Sequence, residues 1–184
     1  MLSLRLVAGG LGLSAMAGIG GLTAARSDAS SVPPPQGGSA ANGQTIDGIT
    51  CDAQEGARIH IHQHLVIIDR GKDVNIPAYI GIPQGRQCIY WLHTHTPDGI
   101  IHIEAPQDRS FTLGDFFKVW GRPLTSTQVG TAKAPRGEKL KVWVDGTPYA
   151  GDPGKIALKA HTDIVIEAGP PFVKPPRFTN WGSL

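Results

Sequence analysis

The run Ile59-His60-Ile61-His62-Gln63-His64-Leu65-Val66-Ile67-Ile68 constrains the fold of this chain more than any other stretch. Its side chains alternate with period two, which suits a β-strand and excludes an amphipathic helix. His60, His62 and His64 share one face with Val66 and Ile68, while Ile59, Ile61, Leu65 and Ile67 occupy the other. Such a strand needs an apolar layer under one face and a partner for imidazoles on the other.

A second histidine group lies in Tyr90–Glu104, which reads YWLHTHTPDGIIHIE. His93 and His95 are two apart and share a face on an extended strand; His102 and Glu104 repeat the spacing. Thr96-Pro97-Asp98-Gly99 separates the pairs as a turn: proline presets φ, aspartate bonds its own backbone and glycine takes φ > 0. Asp98 is therefore assigned to the turn. The stretch reads as a β-hairpin with imidazoles on both arms. A four-residue loop places His93 opposite His102, whereas a three-residue loop with a bulge at Gly99 sends His102 and Glu104 to the other face. Both registers remain open on sequence grounds.

Neutral imidazole is a lone-pair donor near neutral pH, and Zn²⁺, Cu²⁺ and Fe²⁺ take three or four such donors at about 2 Å. If the two strands are neighbours, His60, His62, His64, His93, His95 and His102 converge, with Glu104 as a further ligand, a partner fixing an imidazole tautomer, or a general base. Packing these rings together without an ion is costly, because each needs a hydrogen bond and protonated pairs repel. A solvated polar face is the plain alternative. His161 stands apart at a turn and is expected to be solvated.

Both methionines, Met1 and Met16, fall in the N-terminal segment. An all-histidine set without nearby methionine suits Cu(II) or Zn(II) better than Cu(I). Binding of this kind should weaken below about pH 6, as protons compete for the rings. With 17 Lys+Arg against 15 Asp+Glu, the net charge of +2 leaves no footprint for nucleic acid.

Residues 1–26 carry Arg5, an apolar Leu/Ala/Gly run and no acid, which reads as an export signal. The alternative is an uncleaved membrane anchor through residues 6–25. Residues 27–48, with Pro33-Pro34-Pro35 and many small polar residues, read as a disordered linker. Residues 49–184 then form a single histidine-rich domain, secreted, periplasmic or facing outward from a membrane. Cys51 and Cys88 both lie in it, and an exported chain with an even cysteine count favours their disulfide over a thiolate metal site.

One helix is predicted within Asp108–Pro123. Thr112 and Asp115 make a capping box, and Leu113, Phe116, Phe117 and Trp120 form a core-facing stripe that Gly121 and Pro123 end. Further short strands are predicted at Asp73–Ile76, Lys139–Val144, Ile156–Leu158 and Asp163–Glu167, while Tyr79–Ile82 is a short apolar run that Pro83-Gln84-Gly85 breaks. The fold class expected is mainly β, an antiparallel sandwich or small barrel with one short helix; the alternative is a β-grasp-like α+β arrangement.

The block HIHQHL, IPAYIGI, HTHTPDGIIHIE, FTLGDFFKVWG, spanning most of residues 59–121, resembles a group of exported bacterial proteins of unassigned function. The resemblance implies export and a role for the histidines, and no activity. The order H-x-H then Glu also resembles a cupin motif, but Glu104 follows His95 by nine residues, beyond a proline turn, so cupin chemistry is not carried over. Three functions fit: a metal-sequestering, buffering or delivering protein; a mononuclear metalloenzyme, hydrolytic or oxidative, with Glu104 as base; and an envelope interaction module with a pH-sensitive histidine face.

Overall fold

The computed structural model describes residues 42–173 and 176–184. The export signal expected over residues 1–26 and most of the linker lie outside the described residues. Membrane anchoring through residues 6–25 is withdrawn: among the described residues no helix is long and apolar enough to cross a membrane, and residues 6–25 are not among them.

The strands are β1 (Cys51–Asp52), β2 (Ile59–Asp69), β3 (Lys72–Val74), β4 (Ile89–Tyr90), β5 (Leu92–His93), β6 (Ile100–Ala105), β7 (Gln128–Val129), β8 (Ala132–Lys133), β9 (Lys141–Val144), β10 (Thr147–Pro148) and β11 (Thr162–Ala168). One α-helix, α1 (Leu113–Trp120), falls between β6 and β7. A seven-stranded sheet runs β10-β9-β11-β2-β6-β5, with β3 pairing the end of β2. The pairs β1–β4 and β7–β8 are separate two-stranded ribbons. The protein is thus mostly β with one short helix, as the alternation of the sequence predicts.

The expected antiparallel sandwich or small barrel needs correction: most pairings are antiparallel, but the central one is not. β11 lies parallel to β2, with Ile164 beside Leu65 and Ile166 beside Ile67. All seven residues of β11 are buried, Ile164-Val165-Ile166 consecutively, which is how a central strand covered on both faces reads. The sheet has open ends at β10 and β5, so the described strands close no barrel. Ile156–Leu158 does not join the sheet; it bonds the backbone flanking the helix cap, Leu113 N–H to Ile156 and Leu158 N–H to Phe111. Tyr79–Ile82 is a turn whose backbone holds Thr94 and Tyr90.

The sheet has two unlike faces. Leu65, Ile67, Leu92, Ile101, Ile103, Ile164 and Ile166 pack with Leu113, Phe116, Phe117 and Trp120 of α1 in one core. Burying side chains of this size stabilises by about 1.5–3 kcal/mol each. The helix starts as predicted: Thr112 accepts from Asp115 N–H, and the Asp115 carboxylate accepts from Thr112 N–H at 2.9 Å. Gly121 caps its end in the left-handed conformation. The opposite face carries the histidines.

The Cys51–Cys88 disulfide is present, and among the described residues no cysteine is free, so thiolate ligation is excluded there. Residues 42–48, read as the end of the disordered linker, are instead held on the domain. Tyr90 donates its hydroxyl to Gln44 O at 2.5 Å and accepts from Gly43 N–H, and Lys118 pairs with Asp47.

Candidate metal centre

Register builds this site. β2 and β6 pair so that His60 faces Glu104 and His62 faces His102. β5 and β6 pair so that His93 faces His102, which is the four-residue-loop register of the two left open by sequence. Directly opposed residues share a face, so His60, His62, His93, His102 and Glu104 gather on the face turned away from α1. His95 lies just past β5 and leans back, its Nε2 3.1 Å from Nε2 of His93. The turn behaves as read: Asp98 accepts from Ile100 N–H at 3.1 Å, and Gly99 sits at φ 81°.

Two overlapping ligand groups result, His60/His62/His102/Glu104 and His93/His95/His102/Glu104. Within each, one donor atom per residue lies within 4.8 Å of every other. Glu104 Oε1 is central, 3.3 Å from His60 Nε2, 3.4 Å from His102 Nδ1 and 3.9 Å from His93 Nε2. Donors about 2 Å from a shared ion are spaced some 3–4 Å from one another, so these separations fit a coordination sphere with small adjustments.

The protein environment prepares the rings as ligands. His93 is fully buried, and its Nδ1 donates to the Tyr90 carbonyl at 2.9 Å. A carbonyl only accepts, so the proton is on Nδ1 and Nε2 presents its lone pair to the cluster. Burial, opposed by the Tyr90 bond and helped by the neighbouring imidazoles, lowers His93 to about 3. His102 is lowered to about 4, by burial first and then by His62 and His95. His62 is also lowered, chiefly by burial. Nδ1 of His102 is buried without a hydrogen-bond partner, the kind of orphaned donor or acceptor an ion would satisfy. Glu104, only 6% exposed, moves the other way: burial, then the hydrogen bond and charge of Glu55, raise it to about 7. Donor set, spacing and orphaned nitrogen all fit a divalent transition ion.

Of the residues singled out by sequence, His64 is not brought into either group. Its Nδ1 donates to Asp163 Oδ1 at 2.9 Å, and its ring stacks on Phe178 with centroids 4.0 Å apart. His161 stays apart and exposed, stacked on Trp181 and donating Nε2–H to Leu184 O. One residue at the site went unseen by sequence. Glu55 Oε1 lies 3.6 Å from His95 Nε2 and 3.9 Å from His93 Nε2. It sits in the loop between β1 and β2, with no periodicity or motif to single it out.

No protein-family model matches the chain, and neither a curated protein nor a solved structure matches it.

Proposed function

We propose that this chain is an exported divalent-metal-binding protein that sequesters, buffers or delivers copper or zinc. The observation that carries this reading is the convergence of His60, His62, His93, His95, His102 and Glu104 within two overlapping ligand groups. Imidazole and carboxylate donors without thiolate or thioether suit Zn(II) or Cu(II), and Fe(II) is accommodated by the same set. Export rests on the N-terminal sequence, on the resemblance to exported bacterial proteins and on a disulfide of the kind oxidising compartments favour.

The deciding experiment is elemental analysis of the untagged protein, purified without chelators, beside His102→Gln. His102 belongs to both groups, so its loss should weaken binding at least about 100-fold, more than loss of a residue that merely orients a ligand. Wild-type protein that binds neither zinc nor copper at micromolar concentration sinks the proposal.

One observation supports the enzyme reading as a second choice. A carboxyl held near neutrality beside an ion site is suited to proton transfer, and Glu104 is such a group. Turnover of a hydrolysable ester by the zinc-loaded protein, abolished in Glu104→Gln at a Zn(II) concentration that saturates the variant, would favour it.

We also read the central topology as β-grasp-like. Its four middle strands run β6-β2-β11-β9, the parallel pair in the centre is first and last in chain order, and α1 lies in the crossover. This order supports the α+β alternative over a sandwich or barrel.

A further inference from the structure

We infer that the cluster holds two ions, with the Glu104 carboxylate between them and Glu55 as a ligand to the outer one. The inference rests on the metal-binding reading above and extends it. Its first ground is the number of donors. Five imidazoles and two carboxylates converge, whereas an ion of this class takes four donors, or six at most.

The second ground is their arrangement. The two groups share His102 and Glu104, but their remaining members come from opposite flanks of β6: His60 and His62 from β2, His93 and His95 from β5 and the loop after it. Glu104 stands on the strand between and reaches both flanks, with Oε1 3.3 Å from His60 Nε2 and 3.9 Å from His93 Nε2. A carboxylate has two oxygens and can bridge ions about 3.5–4 Å apart. His102, whose Nδ1 has no hydrogen-bond partner, completes the set with His60 and His62.

The third ground is Glu55. With His93 and His95 it gives the second ion three donors of its own, Oε1 being 3.9 and 3.6 Å from their Nε2 atoms. Its loop is seated firmly. Gly56 N–H donates to the Glu104 carbonyl at 3.3 Å, and a Cβ at Gly56 would lie 2.2 Å from the carbonyl carbon of Ala105. Only glycine allows this approach, which sets Glu55 over the His93–His95 edge. Two carboxylates facing each other are repulsive on their own; two dications beside them relieve that repulsion.

The test is a titration of the full-length, untagged protein with Zn(II), followed by calorimetry and elemental analysis, and with Co(II), followed by its magnetic spectrum. Wild type should take two ions per chain, and bound Co(II) ions should be spin-coupled. His60→Ala and His95→Ala alter exposed or half-exposed side chains, so the fold should survive. Each should weaken a different one of the two binding steps, by about 100-fold, and leave the other unchanged. Glu55→Gln should weaken the same step as His95→Ala. One ion per chain in wild type overturns the inference and leaves metal binding standing; both histidine variants weakening the same step also overturns it. No binding at all fails the metal-binding reading itself.

Discussion

Glu104 and His93 sit on one face of adjoining strands, yet burial pushes them in opposite directions. Desolvation disfavours whichever form is charged, so the acid rises to about 7 while the imidazole falls to about 3. The sign of the pH effect on ion binding follows. His62, His93 and His102 are all lowered and offer no proton competition at neutral pH. Glu104, flanked by Glu55, His60, His93 and His102, retains its proton below about pH 7 in the metal-free protein, and an ion must expel it. Affinity should therefore rise as pH increases to about 7, about tenfold per unit for one released proton, and then level off. The break falls above the pH 6 expected from imidazoles alone. Calorimetric Zn(II) affinities between pH 5.5 and 8.5 would check this; Glu104→Gln should bind more weakly and lose the break. The histidines of this site were legible in sequence because alternation assigns each to a face. His64 obeys the same alternation, but Asp163, nearly a hundred residues away on β11, takes its Nδ1. No local pattern reveals a pairing of that range.

At the level of elements, α1 was the most legible part of the chain, because its start, stripe and stop all lie within ten residues. Its place on the apolar face separates its stability from the site. Thr112→Ala removes the oxygen that accepts from Asp115 N–H and should cost about 1 kcal/mol. Urea unfolding should show a lower midpoint, while the number of ions bound per chain stays the same. The hairpin was legible as a hairpin, though its register was not. Proline's negative φ bars Pro97 from the φ > 0 position of a type I′ turn, and the choice between the two longer loops is made by contacts outside the hairpin: Thr94 Oγ1 donates to Pro77 O and accepts from Ile80 N–H, and Leu65 N–H donates to Gly99 O. Ile156–Leu158 shows the converse limit. Its apolar run predicts a strand, and burial of Ile156 and Leu158 is met, but its backbone bonds go to the helix cap instead of the sheet.

Across the whole molecule, the histidine face of the sheet is divided between two occupants. The metal-site residues line one part. The rest, from β11 to β9, is covered by the C-terminal segment. Val173 N–H donates to Glu167 Oε1, Phe178 N–H donates to Asp163 Oδ2, Lys141 Nζ lies 3.8 Å over the Phe172 ring, and Phe178 stacks on His64. Sequence could not supply the target of these residues, since prolines and scattered aromatics carry no register. The covering explains how a central strand with Asp163 and Glu167 on its polar face can be buried along its full length: both carboxylates accept backbone N–H groups from the segment above them. It also explains why the ligand cluster stops at His62, because the next imidazole along β2 lies beneath the segment. Phe178→Ala should thus act on the fold and not on the ions. Loss of the stacked ring from a partly buried position should cost about 1–2 kcal/mol, seen as a lower unfolding midpoint. Zn(II) stoichiometry and affinity should match wild type. A variant that instead gained an ion would show that His64 turns toward the cluster once uncovered, and that the C-terminal segment, not Asp163 alone, keeps this ring out of the site.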